Sequence, residues 1–370
     1  MVAPKFRDLL FQNNFRLIFS LIHAPPGLPI HFFCACKKIF AQIAGKPDPC
    51  RRQLFTSLTV SNLDKSVQSI ERFDSKKSVP IRIDISMLQS MIDTFLPGGE
   101  MEGNPDPLIY HENEHIAFIE INRPEKKNAL NGECWQLFDE HFEKLKSNNN
   151  VRALVISGRA EDVFSAGFDV TPTETFISDM LHALESRDKA KLVQGFADIQ
   201  RVLSKLSHLP FPTVAAINGL CYSGAVELAV ACDIRVVKAG AVISLQETRL
   251  GLIPDLGGTV RLARLIGPAR AKDLIFTARQ ILPEEAKDLG LVNHIFPQKD
   301  FQSHVIDYVK RITANAPAAL RAVKEIIELT LTMEAVEALA FEREKAAENI
   351  LSRQCIEGIS AFLEKRPPKW

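Results

Sequence analysis

Three short segments hold the residues whose types and spacing could do chemistry. The first, Val163-Phe164-Ser165-Ala166-Gly167-Phe168-Asp169, comes after an apolar run, Ala153–Ser157 (ALVIS). Small residues and a glycine at a strand exit let the main chain turn tightly and aim an N–H outward. An ordinary strand-to-helix turn reads the same way. The second, Asn218-Gly219-Leu220-Cys221-Tyr222-Ser223-Gly224-Ala225-Val226-Glu227, follows the run TVAAI. A helix beginning near Gly224 would offer unpaired N–H groups and a positive dipole end, where an anion settles. Glu227 lies in the first turn of that helix, ahead of the apolar Leu228–Cys232, and is either a complement to the dipole or a functional acid. The third segment runs from Ser244 to Gly258 (SLQETRLGLIPDLGG). There Glu247 closes a strand, and Asp255 precedes a glycine pair ahead of a helix, a position that suits a turn or cap. Gly257-Gly258 lacks the Lys-Ser/Thr of a phosphate loop.

The elements that must position these residues are legible from periodicity. His115–Ile121 (HIAFIEI) reads as a short strand ended by Asn122-Arg123-Pro124. Asn131 stands at a helix N-cap, ahead of Trp135, Phe138, Phe142 and Leu145 at i, i+3, i+7 and i+10. Asn148–Asn150 break the chain before the ALVIS strand. Strand, helix, strand is the unit that builds parallel sheet. It recurs as a helix over Lys191–Leu206, with Leu192, Phe196, Ile199, Leu203 and Leu206 inward, then the strand Thr213–Ile217 and the helix Ala225–Ala231. Strands follow at Ile234–Val237 and Val242–Leu245. Beyond residue 258 the pattern is helical: Thr259–Ile266, Pro268–Ala278 with Pro at the first helical position, Pro283–Leu289, and longer helices to the end.

Composition separates residues 1–100 from the rest. That region carries 13 Lys+Arg against 8 Asp+Glu, net +5, while residues 101–370 carry 32 against 37, net −5. It holds 10 of the 23 Phe but no Trp or Tyr, and Pro25, Pro26, Pro29, Pro47 and Pro49 break any period that begins. Residues 1–62 fit a mitochondrial presequence only loosely, being neither amphipathic nor rich in Ser and Arg. Gly98-Gly99-Glu100 before Met101 would be encoded by a purine-rich tract resembling a bacterial ribosome-binding site. The expectation is therefore a biological start at Met101, preceded by 100 residues without a packed core.

The whole chain is neutral, and it has no Lys/Arg-rich helix to suggest nucleic acid. No apolar run reaches the roughly 18 residues a membrane span needs; Leu17–Ala24 is cut off by Pro25-Pro26. Cys34, Cys36, Cys50, Cys134, Cys221, Cys232 and Cys355 fall at irregular spacings without a second pair to complete a zinc site. They read as reduced thiols, and no metal is expected.

Taken together and in order, these segments resemble the enoyl-CoA hydratase/isomerase (crotonase) family. Asn122-Arg123-Pro124 with Asn128-Ala129-Leu130-Asn131 is similar to the family's opening loop. FSAGFD and AAINGLCYSGAVELAVACDIR are similar to its two oxyanion segments, and LGLIPDLGGTVRLARLIG to the stretch with the second acid. Glu284-Glu285-Ala286, Gly290-Leu291-Val292 and the terminal Phe362–Arg366 (FLEKR) complete a likeness over about 260 residues.

The resemblance implies an α/β crotonase fold: a repeated ββα spiral core over 101–300 and an α-helical C-terminal trimerisation region over 301–370. It implies an acyl-CoA thioester as substrate, with its carbonyl between the N–H groups of Phe168 and Gly224. Glu227 would activate water for C3 and Glu247 deliver a proton to C2, making the chain an enoyl-CoA hydratase. Coenzyme A would be held by the Arg123–Leu130 loop (Arg123, Lys127, Ala129) and the chain around Ala166, Gly167 and Asp169, with Lys127 and Lys365 near phosphates. No cofactor is implied beyond the coenzyme A of the substrate, nor any membrane or nucleic-acid partner. Trimers, often paired into hexamers, are implied; the reduced thiols point to a bacterial cytoplasm or, as the alternative, a mitochondrial matrix.

Two features depart from the pattern or leave it ambiguous. The family's triple-glycine turn is Ser223-Gly224-Ala225 here, which narrows the space around Gly224. Asp255 matches a position that is acidic in dienoyl-CoA isomerases and in an aryl-CoA dehalogenase, and so offers a possible third acid. An enoyl- or dienoyl-CoA isomerase, a thioester hydrolase or dehalogenase using Asp255 or Glu247 as nucleophile, and a non-enzymatic binding protein of the same fold stay open as alternatives.

Overall fold

The computed structural model describes residues 106–171 and 174–370, together with two earlier strands. Those strands, β1 (Ser69–Arg72) and β2 (Ile81–Asp84), pair antiparallel with Ser69 opposite Asp84. They belong to a unit spanning Met1–Glu100, separate from a second spanning Met101–Trp370. The rest of the expectation for residues 1–100 falls outside the described residues.

In the second unit the strands are β3 (Leu108–Asn113), β4 (Ile116–Ile121), β5 (Ala153–Gly158), β6 (Val163–Ser165), β7 (Thr213–Ile217), β8 (Leu220–Tyr222), β9 (Ile234–Lys238), β10 (Ile243–Ser244) and β11 (His294–Phe296). They form two sheets: a six-stranded one in the order β11-β9-β7-β5-β4-β3 and a three-stranded one in the order β10-β8-β6. Only β3–β4 is antiparallel; every other pairing is parallel. Each of β5–β6, β7–β8 and β9–β10 gives its first strand to the large sheet and its second to the small one. This is the ββα spiral of the crotonase fold. The chemistry-bearing segments leave the small sheet at the ends of β6, β8 and β10, so three distant stretches of sequence converge.

The apolar runs of the large sheet follow from burial on both faces. Along β5, Leu154 and Ile156 join the main core with Ile119, Ile121, Ala215 and Ile217. Ala153 and Val155 point to a second cluster with Ile116, Val214, Val236 and Phe301, Val305 and Val309 of a later helix. Period two and a continuous hydrophobic string therefore coexist.

The helices are α1 (Gly132–Lys146), α2 (Thr175–Glu185), α3 (Lys189–Ser207), α4 (Gly224–Ala231), α5 (Gly258–Ile266), α6 (Pro268–Thr277), α7 (Pro283–Asp288), α8 (Phe301–Thr313), α9 (Pro317–Thr330), α10 (Ala335–Leu351) and α11 (Gln354–Leu363). Asn131 caps α1, its Oδ1 accepting from Cys134 N at 3.0 Å, and the Trp135–Phe138–Phe142–Leu145 stripe is buried. In α3 the expected stripe is buried only from Ile199 onward; Leu192 and Phe196 are half-exposed, because that half rests on α2 rather than on the sheet. Strands β3, β6, β8 and β11 are too short or too mixed to show a period, and the sequence reading passes over them. Among the described residues no helix is long and apolar enough to cross a membrane.

Candidate active site

The first turn begins where β6 ends. Ser165 Oγ accepts from Gly167 N at 3.0 Å, and Gly167 takes φ +95°. A Cβ there would lie 2.6 Å from the Tyr222 carbonyl oxygen, so only glycine fits. Phe168 forms an isolated parallel bridge with Leu130. Its bonds run from Leu130 N to Gly167 O (2.7 Å) and from Asp169 N to Leu130 O (2.8 Å). A parallel bridge uses the flanking residues of one partner, which turns the N–H of Phe168 itself away from Leu130. The phenyl ring packs elsewhere, 4.9 Å from Phe176 and 6.2 Å from Trp135 between centroids.

Buried polar side chains lock this turn to the loop before α1. Asn128 is fully buried; its Oδ1 accepts from Arg123 N (2.9 Å), and its Nδ2 donates to the carbonyls of Val163 (3.0 Å) and Phe164 (3.3 Å). Lys127 and Asn128 both adopt left-handed φ, 51° and 56°. Arg123 Nη1 donates to the Ala129 carbonyl and to Asp169 Oδ2 at 2.9 Å. Burial alone would raise the Asp169 carboxyl, but hydrogen bonds from Thr171 and Arg123 hold it below the usual carboxylate range. The side chains of Arg123 and Asp169 thus meet each other, Ala129 is buried beside them, and Ala166 is half-buried with its N–H on the Lys127 carbonyl (2.9 Å). Lys127 and Lys365 are exposed.

The second turn follows β8. Ser223 N donates to Ser244 O at 2.8 Å, and its own carbonyl accepts from Val226 N (2.8 Å) and Glu227 N (3.2 Å). Gly224 is the first residue of α4, so its N–H has no partner within the helix. A Cβ on Gly224 would lie 3.5 Å from Phe168 N, and one on Gly167 only 3.1 Å from Gly224 N. The two turns are in contact, and their outward N–H groups can polarise one oxygen together. All eight residues of α4 are buried, as its apolar composition demands. Its last carbonyls are taken by the buried Arg235, whose Nη1 reaches Cys232 O (2.7 Å) and Ala229 O (3.4 Å). That cation sits at the negative end of the helix.

Three carboxyl groups gather beside these turns. Glu227, on α4, is 1% exposed, and its Oε2 accepts from Gly258 N at 2.6 Å. Burial pushes it up to about 8; the charges of Glu247 and Asp255 add to the rise, and the Gly258 N–H opposes it. The glycine pair that is no phosphate loop now has its reason. Gly257 takes φ +98°, and a Cβ on Gly258 would sit 2.6 Å from Glu227 Oε2. Sequence reasoning missed Gly258 as a partner of the acid; its signal was the second glycine opening a helix.

Glu247 starts a 3₁₀ turn, Glu247–Leu250, three residues past the end of β10 rather than closing that strand. It is buried, and neither carboxylate oxygen has a hydrogen-bond partner among the described residues. Burial pushes it up to about 7, with the Asp255 charge adding. Asp255 is half-buried and raised to about 6 by burial. The cap of α5 is Gly257, with no side chain serving it, so Asp255 is no cap and lies in the turn before that helix, the other position its sequence suits. Its carbonyl instead accepts from Gln200 Nε2 on α3. Paired donors beside carboxyls raised toward neutrality can stabilise an enolate-like oxygen while protons move to and from carbon.

Comparison with known proteins shows the family. The description "enoyl-CoA hydratase/isomerase" matches residues 111–370. YngF of Bacillus subtilis, which carries the same designation, is 37% identical over 262 residues, 70% of this chain and 95% of that one. The mouse mitochondrial methylglutaconyl-CoA hydratase is 35% identical over 266 residues, 71% of this chain and 81% of that one. Among solved structures, an enoyl-CoA hydratase from Bacillus anthracis superposes with a TM-score of 0.64 at 31% identity, over 71% of this chain and 98% of that one.

Proposed function

Because the chain belongs to the enoyl-CoA hydratase/isomerase family, we propose that it is a hydratase adding water across the C2=C3 bond of a 2-enoyl-CoA thioester to give the 3-hydroxyacyl-CoA. The observation that carries this reading is the pair Glu227 and Glu247, both buried and both raised, beside the N–H groups of Phe168 and Gly224. Hydration needs one carboxylate to take a proton from water and one carboxylic acid to supply a proton to C2. Like charges resist ionising together, so the pair holds one proton near neutrality. The free site keeps it on Glu227, the more raised of the two, which is the arrangement the reverse reaction uses, and the forward reaction takes it on Glu247.

In the forward direction Glu227 is the base, oriented through Oε2 by the Gly258 N–H, and Glu247 is the acid; the reverse reaction exchanges them. Negative charge developing on the thioester oxygen goes to the two main-chain donors. Each donor of this kind is worth about 3–4 kcal/mol in other enzymes. The substrate's coenzyme A lies along the Arg123–Leu130 loop, touching main chain around Ala166 and Gly167, and the reaction takes no other cofactor. Arg123 and Asp169 act here by holding that loop to the Phe168 turn. The acyl group lies toward α2 and α3, under Phe176.

Asp255 favours a second reading, double-bond isomerisation, because a third raised carboxyl couples to both glutamates. Exposed apolar side chains on α9–α11, including Val336, Ile359 and Phe362, support assembly into trimers or hexamers; a monomer in sedimentation at micromolar concentration would overturn that part. One relative is from a bacterium and another is mitochondrial by name; the compartment of this reading is a bacterial cytoplasm or, as the alternative, a mitochondrial matrix.

The test is crotonyl-CoA with the full-length protein, following loss of the conjugated-enoyl absorbance and identifying the product. Formation of 3-hydroxybutyryl-CoA, lost in Glu227→Gln and in Glu247→Gln, is expected. Conversion of 3-enoyl- or dienoyl-CoA without hydration, lost in Asp255→Asn, would replace the hydratase reading with the isomerase one.

A further inference from the structure

Ser223 holds a main-chain conformation that side-chain-bearing residues rarely adopt, φ 55° and ψ −123°. Glycine reaches it without penalty. The conformation is pinned on both sides, by the Ser223 N–H on Ser244 O and by its carbonyl under Val226 and Glu227. This is what swings the next N–H, that of Gly224, outward. A side chain kept at such a position invites a reason, since strain of this kind gathers where a site needs it.

The side chain has two neighbours that matter. Ser223 Oγ accepts from Gln246 N at 3.2 Å, and Gln246 is the residue that delivers the chain to Glu247. Gln246 is held further by its own amide group, which donates to Ser244 Oγ and to the Ala278 carbonyl. With a lone pair engaged by Gln246 N–H, the hydroxyl still has its proton to give. Glu247 follows Gln246 directly, buried, with two oxygens that no group, the Ser223 hydroxyl included, satisfies among the described residues. The charged groups nearest this corner are the acids Glu227 from α4 and Asp255 from the turn before α5; the cation Arg261 of α5 lies on the Leu256 carbonyl and couples to Glu227, not to Glu247.

We propose that Ser223 is a positioning residue whose hydroxyl couples the two halves of the site. It ties the Gln246–Glu247 corner to the turn presenting the Gly224 N–H, and has its proton free to turn to the Glu247 carboxylate when that group ionises. The acid and the oxyanion donor are then set at a fixed spacing by one side chain. The nearby hydroxyl also works against the burial that raises Glu247, as a donor to the charged form must. This rests on the reading of Glu247 as a working acid.

The experiment reads Glu247 directly, without turnover. Full-length protein labelled with carboxyl-¹³C glutamate is titrated by NMR in the absence of substrate, with Glu247→Gln assigning the resonance. Ser223→Ala, which keeps the strain and loses the hydroxyl, is expected to raise the Glu247 titration by about half a pH unit or more. Ser223→Gly should show the same rise while melting at a higher temperature, because its backbone is relaxed. With whichever acyl-CoA the wild type turns over, both variants should lose about tenfold in kcat with KM within about twofold, an effect on the acid and not on binding. Identical Glu247 titration in wild type and Ser223→Ala would overturn the proposal. Failure of the wild type to hydrate crotonyl-CoA would count against the hydratase reading and leave the NMR comparison intact.

Discussion

The turns at Phe168 and Gly224 present the same group, an outward main-chain N–H, but they are built differently. The Gly224 turn is made by regular elements: a strand enters, a helix leaves, and main-chain bonds and the start of the helix leave the donor unpaired. The Phe168 turn is made by side chains from far along the chain, Asn128 and the Arg123–Asp169 pair, closed over a single β-bridge. One donor is therefore a by-product of secondary structure, and the other depends on a few buried polar contacts. Damage to the first should reach activity alone, whereas damage to the second should cost the fold as well.

The largest effect is expected for Asp169→Ala. Its partner is Arg123, and the two side chains are 5% and 12% exposed. Removing one member of a buried pair costs about 3–5 kcal/mol, and the lower end applies to a pair at the edge of the core. Chemical denaturation should show that loss, together with a fall in turnover. Gly224→Ala is the contrasting variant. Its Cβ would meet Leu256 Cδ1 at 3.4 Å and Phe168 N at 3.5 Å, filling the space between the donors. Turnover should drop about 100-fold through displacement of the reacting oxygen, since alanine keeps the N–H, with the melting temperature unchanged; a matching loss of stability would erase the distinction between the turns. Asn128→Ala leaves the Val163 and Phe164 carbonyls without their donor and should cost about 1–3 kcal/mol, read by the same denaturation.

The most gradual effect is on the pH dependence of stability. Glu227 titrates near 8 when folded, above its ordinary 4.5. Between those values the unfolded chain has released the proton and the folded chain keeps it, so stability falls as pH rises. The slope is about 1.4 kcal/mol per pH unit for one such group. Glu227→Gln should flatten the curve between pH 5 and 8, and parallel curves would mean that Glu227 is ionised throughout.

This contrast also explains what was legible in the sequence. The Trp135–Phe138–Phe142–Leu145 stripe, the Asn131 cap, ALVIS and TVAAI could be read because each element answers to a local period. The ends of those elements named Gly224 and Glu227. The pairing of β6 with β8 and the role of Asn128 were not legible, since they join residues that no period connects. The three-residue strands β6 and β8 have no room for an alternation. Glu247 could be named but not placed: its burial with unpartnered oxygens beside Asp255 joins residues that no period connects.

The bridge between Leu130 and Phe168 carries a consequence for how this site can change over generations. Successive residues of an extended segment face opposite ways, so the donor at position 168 is chosen by odd or even count from Gly167, not by the identity of its side chain. Replacing the phenyl group leaves the N–H where it is. Inserting or deleting one residue between Ser165 and Phe168 would turn that N–H into the bridge and send a neighbour's outward. Sequence drift at this place is expected to run through substitutions, with its length held constant.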